Sequence, residues 1–348
     1  MAAPLVSVVV IFDREEFEPC LSSLLSQMDA DFEIIAVVGD KTDEAVPEGA
    51  LYLGDSGEVA RDPRLRPLKV TDRNPARRRN LAAEKARGKY LAFIDDDAFA
   101  PYDWLAKGVA FLEYHPVYAG MGGPNLLPKE ADARESLTDM VLTAPLLGAG
   151  SRAYRGGGRQ ALAKPGELHL VNLIVRKEVF DLTGGFNEAL GYGAEDTEFL
   201  HLASEKGHAF IFDPELYVYH KRRPFGMPYL VQRFRLRSQS GRLFAARPSV
   251  YARSAGFWAA LCGPPLALAL VLFLLVQENF FVAAMLAVLY AAAAPLLSTF
   301  SGKHRPAHLI ASPAVFFLHH AANLAGLWYG LCRGLADKRY RKKIRRTP

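Results

Sequence analysis

RRNLAAEKARGKYLAFIDDDAFAPYDWL, residues 78–105, decides the fold of the N-terminal half. The Ala-rich, charged run over residues 75–87 has helical character, and Gly88 stops it. Residues 90–94 (YLAFI) form a short apolar run of strand type, and Asp95, Asp96 and Asp97 follow at once. Working outward, residues 5–11 are a Val-rich buried-strand pattern. Residues 17–27 carry Leu21, Leu24 and Leu25 at helical spacing, residues 32–38 are a second strand, and residues 68–70 are a short third. Alternating strands and helices predict an α/β domain with a parallel sheet covered on both faces. Such sheets bind ligands at the carboxyl ends of their strands. Two of those ends carry acids here: Asp40 after AVVG, and the triplet after YLAFI.

Residues 120–165 are rich in Gly and Pro and weakly patterned, and residues 151–166, with GGG at 156–158, read as a mobile loop. Strand character returns over 168–175, and a helix is expected over 177–182. GGF at 184–186 then leads into GYGAEDTEF.

At 348 residues the chain is too long for one small core. Residues 1–235 read as a charged, soluble domain, and 236–256 as a basic interfacial linker. Residues 257–332 are dominated by apolar runs, on the scale of membrane helices, and 333–348 form a basic tail. The net charge of +5 is concentrated in basic runs that flank the apolar segments, which suits an anionic leaflet. Nucleic acid is not an expected partner, because no basic-aromatic stacking motif is present. Cys20, Cys262 and Cys332 are odd in number and lack metal-ligand spacing, as expected of a reducing compartment. The start of the chain lacks a basic region followed by a long apolar run, so the soluble domain is expected to stay in the cytoplasm.

Three adjacent carboxylates at a strand end repel one another and are most comfortable around a divalent cation. Such a cation neutralises charge on a departing diphosphate. An isolated acidic triplet is more simply a solvated turn; the strand before it and PYDWL after it favour the cation. The Gly and terminal Glu of an EF-hand are missing.

SVVVIF (7–12), CLSSLLSQ (20–27), DFEIIAVVGD (31–40), the stretch at 78–105, VRKEVFDLTGGFNEALGYGAEDTEF (175–199) and FDPELYVYH (212–220) occur in an order that resembles family 2 glycosyltransferases of the GT-A fold. The resemblance covers residues 5–235. It implies a Rossmann-like mixed sheet, a nucleotide-diphosphate sugar donor, a divalent metal (Mn2+ or Mg2+) and inversion at the anomeric carbon. By the same resemblance Asp40 binds the base, Arg79 and Asn80 face the nucleotide, and Asp95 and Asp96 belong to the nucleotide-sugar site. Asp97 and His220 are the implied metal ligands. Asp196 is the implied general base, and Glu195 holds a sugar. Taken singly, these residues have plain structural readings: a turn for Asp40, a helix surface for Arg79 and Asn80, a helix N-terminus for the acids, a strand end for His220. Arg77 and Arg78 read as solvated helix surface. The chain departs from the family where the first strand ends in Ile11-Phe12-Asp13-Arg14 rather than a Pro-x-Tyr-Asn type turn, and where VVGD replaces two adjacent acids. Both departures touch the base pocket.

The expected acceptor is a glycan on a membrane-associated lipid. Arg233, Arg235 and Arg237 offer a basic face for lipid phosphate, and QRFRLRSQSG reads as an amphipathic interfacial stretch. The alternatives are a polyprenyl-phosphate sugar synthase and a catalytically degenerate membrane scaffold. Residues 257–276 and 280–297 are long enough to span, with Gln277-Glu278-Asn279 outside and Lys303 and Arg305 inside. A third span over 309–330 would put the basic tail outside, against the positive-inside tendency. His319, Asn323, Gly326 and Gly330 share one helical face. The segment is therefore expected to be re-entrant or interfacial, or to join the first two helices through that face. A C-terminal tag should then be digested by protease added to inverted inner-membrane vesicles; a protected tag would refute the cytoplasmic tail.

Overall fold

The computed structural model describes residues 3–13, 17–39, 50–53, 58–144, 152–163, 166–298 and 306–346. Asp40, Lys303 and Arg305 lie outside the described residues, as do 151, 164 and 165 of the expected loop. In chain order the elements are β1 (Val6–Phe12), α1 (Glu18–Leu25), β2 (Phe32–Val38), β3 (Ala50–Leu53), β4 (Glu58–Arg61), β5 (Leu65–Lys69), α2 (Pro75–Lys85), β6 (Tyr90–Phe93) and β7 (Ala98–Phe99). There follow α3 (Trp104–Tyr114), β8 (Tyr118–Gly122), β9 (Asn125–Leu126), α4 (Ala133–Thr143), β10 (Ala161–Leu162), β11 (Leu173–Arg176), α5 (Lys177–Leu182), α6 (Glu195–Glu205), β12 (Ala209–Phe212) and β13 (Val218–His220). Helices complete the chain: α7 (Met227–Ala246), α8 (Ser249–Ala252), α9 (Ala255–Val276), α10 (Phe280–Ser298), α11 (Pro306–Ala336) and α12 (Lys338–Arg346). The chain forms two compact units, one of residues 1–128 and 155–221, the other of residues 129–154 and 222–346.

The first unit is built on an eight-stranded sheet in the order β10-β12-β8-β11-β6-β1-β2-β5. From β6 through β1 and β2 to β5 all pairings are parallel. Strand β11 enters antiparallel between β6 and β8. The strands expected in the first 100 residues thus pair in parallel, and β11 makes the sheet as a whole mixed, as the family resemblance implies. Strands buried on both faces have no polar side, hence the unbroken Val run of β1. Val8 and Val10 pack on one side with Leu21, Leu24, Trp104 and Leu112. Val9, Ile35 and Val37 pack on the other with Ala76, Ala83, Phe180, Phe186 and Phe199. Residues 168–175 are not one strand: a 3-10 turn at Leu170–Asn172 precedes β11. A small second sheet, β7-β13-β9, stands beside the main one.

The second unit contains α4, a helix inside the stretch that looked unpatterned. Its signal was legible: Asp132 and Glu135 form a reciprocal capping box at its N-terminus. Helix α7 runs without a break through residue 235, where a domain boundary was expected. Helix α9 (22 residues) holds an 18-residue stretch with a mean hydropathy of 2.4, and α11 (31 residues) one of 1.2, so both are long and apolar enough to cross a membrane. Leu266, Leu268, Phe273 and Val276 of α9 are exposed, a surface suited to lipid.

Helix α11 is continuous, without the turn of a re-entrant hairpin. Its small polar face does not join α9 to α10 but packs on α7. A methyl group at Gly326 would strike the Phe234 backbone, and one at Gly330 the Ser238 carbonyl; from the other side, one at Gly241 would strike the Leu327 carbonyl. The two backbones thus touch along a stripe of glycines. This contact buries Arg233 and Gly241, so QRFRLRSQSG is not wholly an interfacial surface. Gly330→Ala should destabilise this unit by about 1–3 kcal/mol through overpacking. Gly256→Ala, which meets only open space, should leave the melting midpoint nearly unchanged. Equal midpoints for the two variants would disprove the backbone contact.

Candidate active site

Strand β6 ends at Phe93, and a tight turn closed by the Ala98 N–H on the Asp95 carbonyl (3.0 Å) carries the three aspartates into β7. Strand β13 pairs antiparallel with β7, with His220 opposite Ala98. That register, with the Lys221 N–H on the Asp97 carbonyl at 3.1 Å, delivers His220 from 123 residues away. Its Nε2 lies 3.1 Å from Asp97 Oδ1.

The three carboxylates have different surroundings. Asp95 accepts from Arg79 Nη2 at 3.0 Å. Asp97 faces His220. Asp96 is buried, and its Oδ2 accepts the Asp13 backbone N–H at 3.0 Å, which ties the end of β1 to the turn. Asp96 thus stands apart from the other two. Ligand atoms of Asp95, Asp97 and His220 all lie within 4.8 Å of one another. Two carboxylates and an imidazole at that separation fit a single divalent cation, with His220 neutral and Nε2 offered as a lone pair.

Arg79 links this cluster to the Glu-Asp pair, since its Nη1 donates to Glu195 Oε1 at 3.2 Å. Glu195 and Asp196 open α6, where carboxylates are favoured by the helix dipole. The residue before them, Ala194, sits in the left-handed region at φ 72°, a strain of about 1–3 kcal/mol that fixes how the pair enters the site. Asp196 is partly exposed; its Oδ1 accepts from the Thr197 N–H at 2.7 Å, and Oδ2 makes no hydrogen bond among the described residues. Glu195 is buried, and its Oε2 has no partner among the described residues. Burial, with the Asp196 charge adding, pushes its pKa up to about 7 against the pull of Arg79.

Asn80 is turned away from this cluster. Its Nδ2 donates to the Phe186 carbonyl (2.8 Å) and its Oδ1 accepts the Phe186 N–H (2.9 Å), so the amide is occupied in holding the Gly184-Gly185-Phe186 turn. Gly185, at φ 71°, has no room for a Cβ against Asn80 Oδ1. Arg77 is exposed, as expected. Arg78 is not: only 3% of it is accessible, and Nη1 donates to Asp13 Oδ2 at 2.6 Å. Its Nε and Nη2 have no partner among the described residues, and Nη2 and Asp13 Oδ1 flank Gly39 at the end of β2. This pair at the strand ends was missed in the sequence because an Arg in a run of three looks like helix surface. The odd ending Phe12-Asp13 was the available signal. Cys20 donates weakly to the Asp95 carbonyl at 3.5 Å, and burial plus the aspartates raises its pKa well above that of a free thiol, so it is no nucleophile.

A mixed α/β sheet with an acidic, metal-competent turn at the carboxyl end of a central strand marks a sugar-nucleotide transferase of the GT-A type. The profile of Glycosyl transferase family group 2 matches residues 90–296, and that of Glycosyl transferase family 2 matches residues 7–130. The chain belongs to the family 2 glycosyltransferases. Glycosyltransferase AglE of Haloferax volcanii is 25% identical over 231 residues, covering 64% of this chain and 69% of that protein. A PGL/p-HBAD biosynthesis glycosyltransferase of Mycobacterium tuberculosis is 30% identical over 118 residues, 33% of this chain and 44% of that protein. The mannosyltransferase PcManGT from Pyrobaculum calidifontis, solved in complex with GDP-Man and Mn2+, has the same fold with a TM-score of 0.57 at 20% identity, over 93% of this chain and 88% of that one.

The raised pKa of Glu195 has a sign. The folded state keeps a proton that the unfolded chain releases near pH 4.5, so stability falls as pH rises from about 4.5 to about 7. Glu195→Gln cannot ionise. With EDTA present, its melting midpoint relative to wild type should therefore climb between pH 5 and pH 8; a difference independent of pH would contradict the buried, proton-holding Glu195.

Proposed function

We propose that the protein transfers a sugar, with inversion, from a nucleotide-diphosphate donor to a hydroxyl of a lipid-linked glycan at the cytoplasmic face of the inner membrane. The observation that carries this reading is the meeting of Asp95, Asp97 and His220 beside Arg79, Glu195 and Asp196. Asp97, His220 and Asp95 would hold Mn2+ or Mg2+, which supplies a Lewis acid for the departing diphosphate. Arg79 bridges Asp95 and Glu195 and so fixes both carboxylates in register. Asp196 Oδ2 takes the acceptor hydroxyl's proton as the acceptor oxygen bonds to the anomeric carbon. The bond to the donor diphosphate breaks with its electron pair, and the nucleoside diphosphate leaves. Glu195 Oε2, buried and unpartnered among the described residues, suits a hydrogen bond to a sugar hydroxyl.

A polyprenyl monophosphate acceptor is already anionic and needs no base. The open Oδ2 of Asp196 therefore favours a hydroxyl acceptor over a polyprenyl-phosphate sugar synthase. Asp40 and the Asp13–Arg78 pair are the residues proposed to face the base. In this reading the first unit is catalytic, α9 to α11 attach it to the membrane, and the basic tail over 333–348 stays on the cytoplasmic side.

Asp196→Asn should lower kcat by about 10²- to 10⁴-fold while leaving Mn2+-dependent binding of the donor intact. Undiminished turnover removes Asp196 as the base. A thermal-shift panel of UDP-, GDP- and dTDP-sugars, with and without Mn2+, names the donor.

A further inference from the structure

The face of α7 that packs on α11 holds an arrangement that the transfer chemistry does not use. Arg233 and Arg237 lie one turn apart on α7, and each Nε donates to Asn323 Oδ1, at 3.2 and 3.4 Å. Asn323 Nδ2 donates to His319 Nε2 at 2.7 Å, which leaves the His319 proton on Nδ1, facing the Tyr229 hydroxyl at 2.7 Å. Among the described residues the chain of bonds ends there, without an anion. Neither guanidinium has a carboxylate partner among the described residues, and their terminal N–H groups make no hydrogen bond among them. Arg222, nearby in sequence and also buried, does have one: its Nε bonds Asp139 Oδ1 at 3.0 Å, and it lies over the Tyr154 ring.

Two cations at i and i+4 repel each other, and burial removes the water that would screen them. Arg233 is 8% accessible. Burial and the Arg233 charge draw Arg237 down only to about 10, so its guanidinium stays charged at neutral pH. The glycine stripe makes the arrangement rigid. With α11 pressed backbone to backbone on α7 at Gly326 and Gly330, Asn323 holds both Nε groups in place and leaves two planar forks free to bind. Two charges so oriented, one buried and one half-buried, without a carboxylate among the described residues, are built for a doubly charged oxyanion. Arg235, exposed on the same helix, takes no part.

We propose that Arg233 and Arg237, held through Asn323, form a binding site for a phosphate or diphosphate group. The site follows from the paired guanidiniums and their shared amide; only the source of the anion rests on the proposed function. That source is either the diphosphate that links a lipid to its glycan or the diphosphate of the sugar nucleotide.

The test uses the full chain in detergent micelles, with thermal unfolding and equilibrium binding of inorganic pyrophosphate in EDTA. Wild type and Asp97→Asn should both be stabilised by pyrophosphate, because the metal cluster is not needed. Arg237→Gln should melt higher than wild type without pyrophosphate, since an unpaired cation is gone, and should bind pyrophosphate at least about ten-fold more weakly. A residue with only a structural role would do the opposite and lower the midpoint. Arg233→Gln, which keeps the Arg237–Asn323 bond, is the second variant should the first fail to fold. Farnesyl diphosphate and a nucleoside diphosphate, each added to Asp97→Asn, separate the sources: loss of farnesyl diphosphate binding on adding Arg237→Gln assigns the site to the lipid, and loss of nucleotide binding assigns it to the donor. Pyrophosphate affinity unchanged in both arginine variants overturns the site. Sugar transfer by wild type in the same preparation is read separately, so failure of the site and failure of the transferase reading cannot be confused.

Discussion

Three adjacent carboxylates in one turn repel one another, by about 4 kcal/mol per pair at roughly 4 Å near a protein surface. The structure hands each to a different element. Asp95 goes to Arg79 on α2, Asp96 to the backbone N–H at the end of β1, and Asp97 to His220 at the end of β13. The first unit is organised around this distribution. Strand β13 is the last element of that unit, and its pairing with β7 is what places His220. Arg79 extends the same compensation to Glu195, so that one guanidinium orients the metal-competent cluster and the acid pair together.

The same rule of charge compensation explains features outside the turn. Glu33 is buried in a strand, where a carboxylate is costly. Burial pushes its pKa up, but Ser7, the Arg87 N–H, Arg66 and the Arg87 side chain outweigh that and hold it low. Arg78 is the mirror case, a buried cation with Asp13 as its one acidic partner among the described residues. Arg233 and Arg237 carry the principle to its limit, with a shared amide and no acid among the described residues. At Arg78 and at the Arg233–Arg237 pair, the charge lies where ligand recognition is proposed.

Much of the fold could be read along the chain. Strands β1, β2 and β6 and helices α2 and α5 announce themselves through short apolar runs, a Pro start and a Gly stop, all local signals. Helix α4 was also legible, through its capping box, but Gly and Pro around it masked the pattern. The antiparallel β11 was not, because strand direction depends on which neighbour a strand finds, and YLAFI pairs with both parallel β1 and antiparallel β11.

The sequence by itself singled out the residues proposed to carry the chemistry: the aspartate triplet, the Glu-Asp pair and the His after YVY, each marked by residue type beside a strand or helix end. Only the tertiary structure decided how they are shared out. It separated Asp96 from Asp95 and Asp97, drew Asn80 into the GGF turn, buried Arg78, and turned the polar face of α11 onto α7. These are choices between equivalent carboxylates, amides and guanidiniums. Side chains of one type are alike in sequence; what distinguishes them is the partner that strand register and glycine-permitted close packing bring within 3 or so Å.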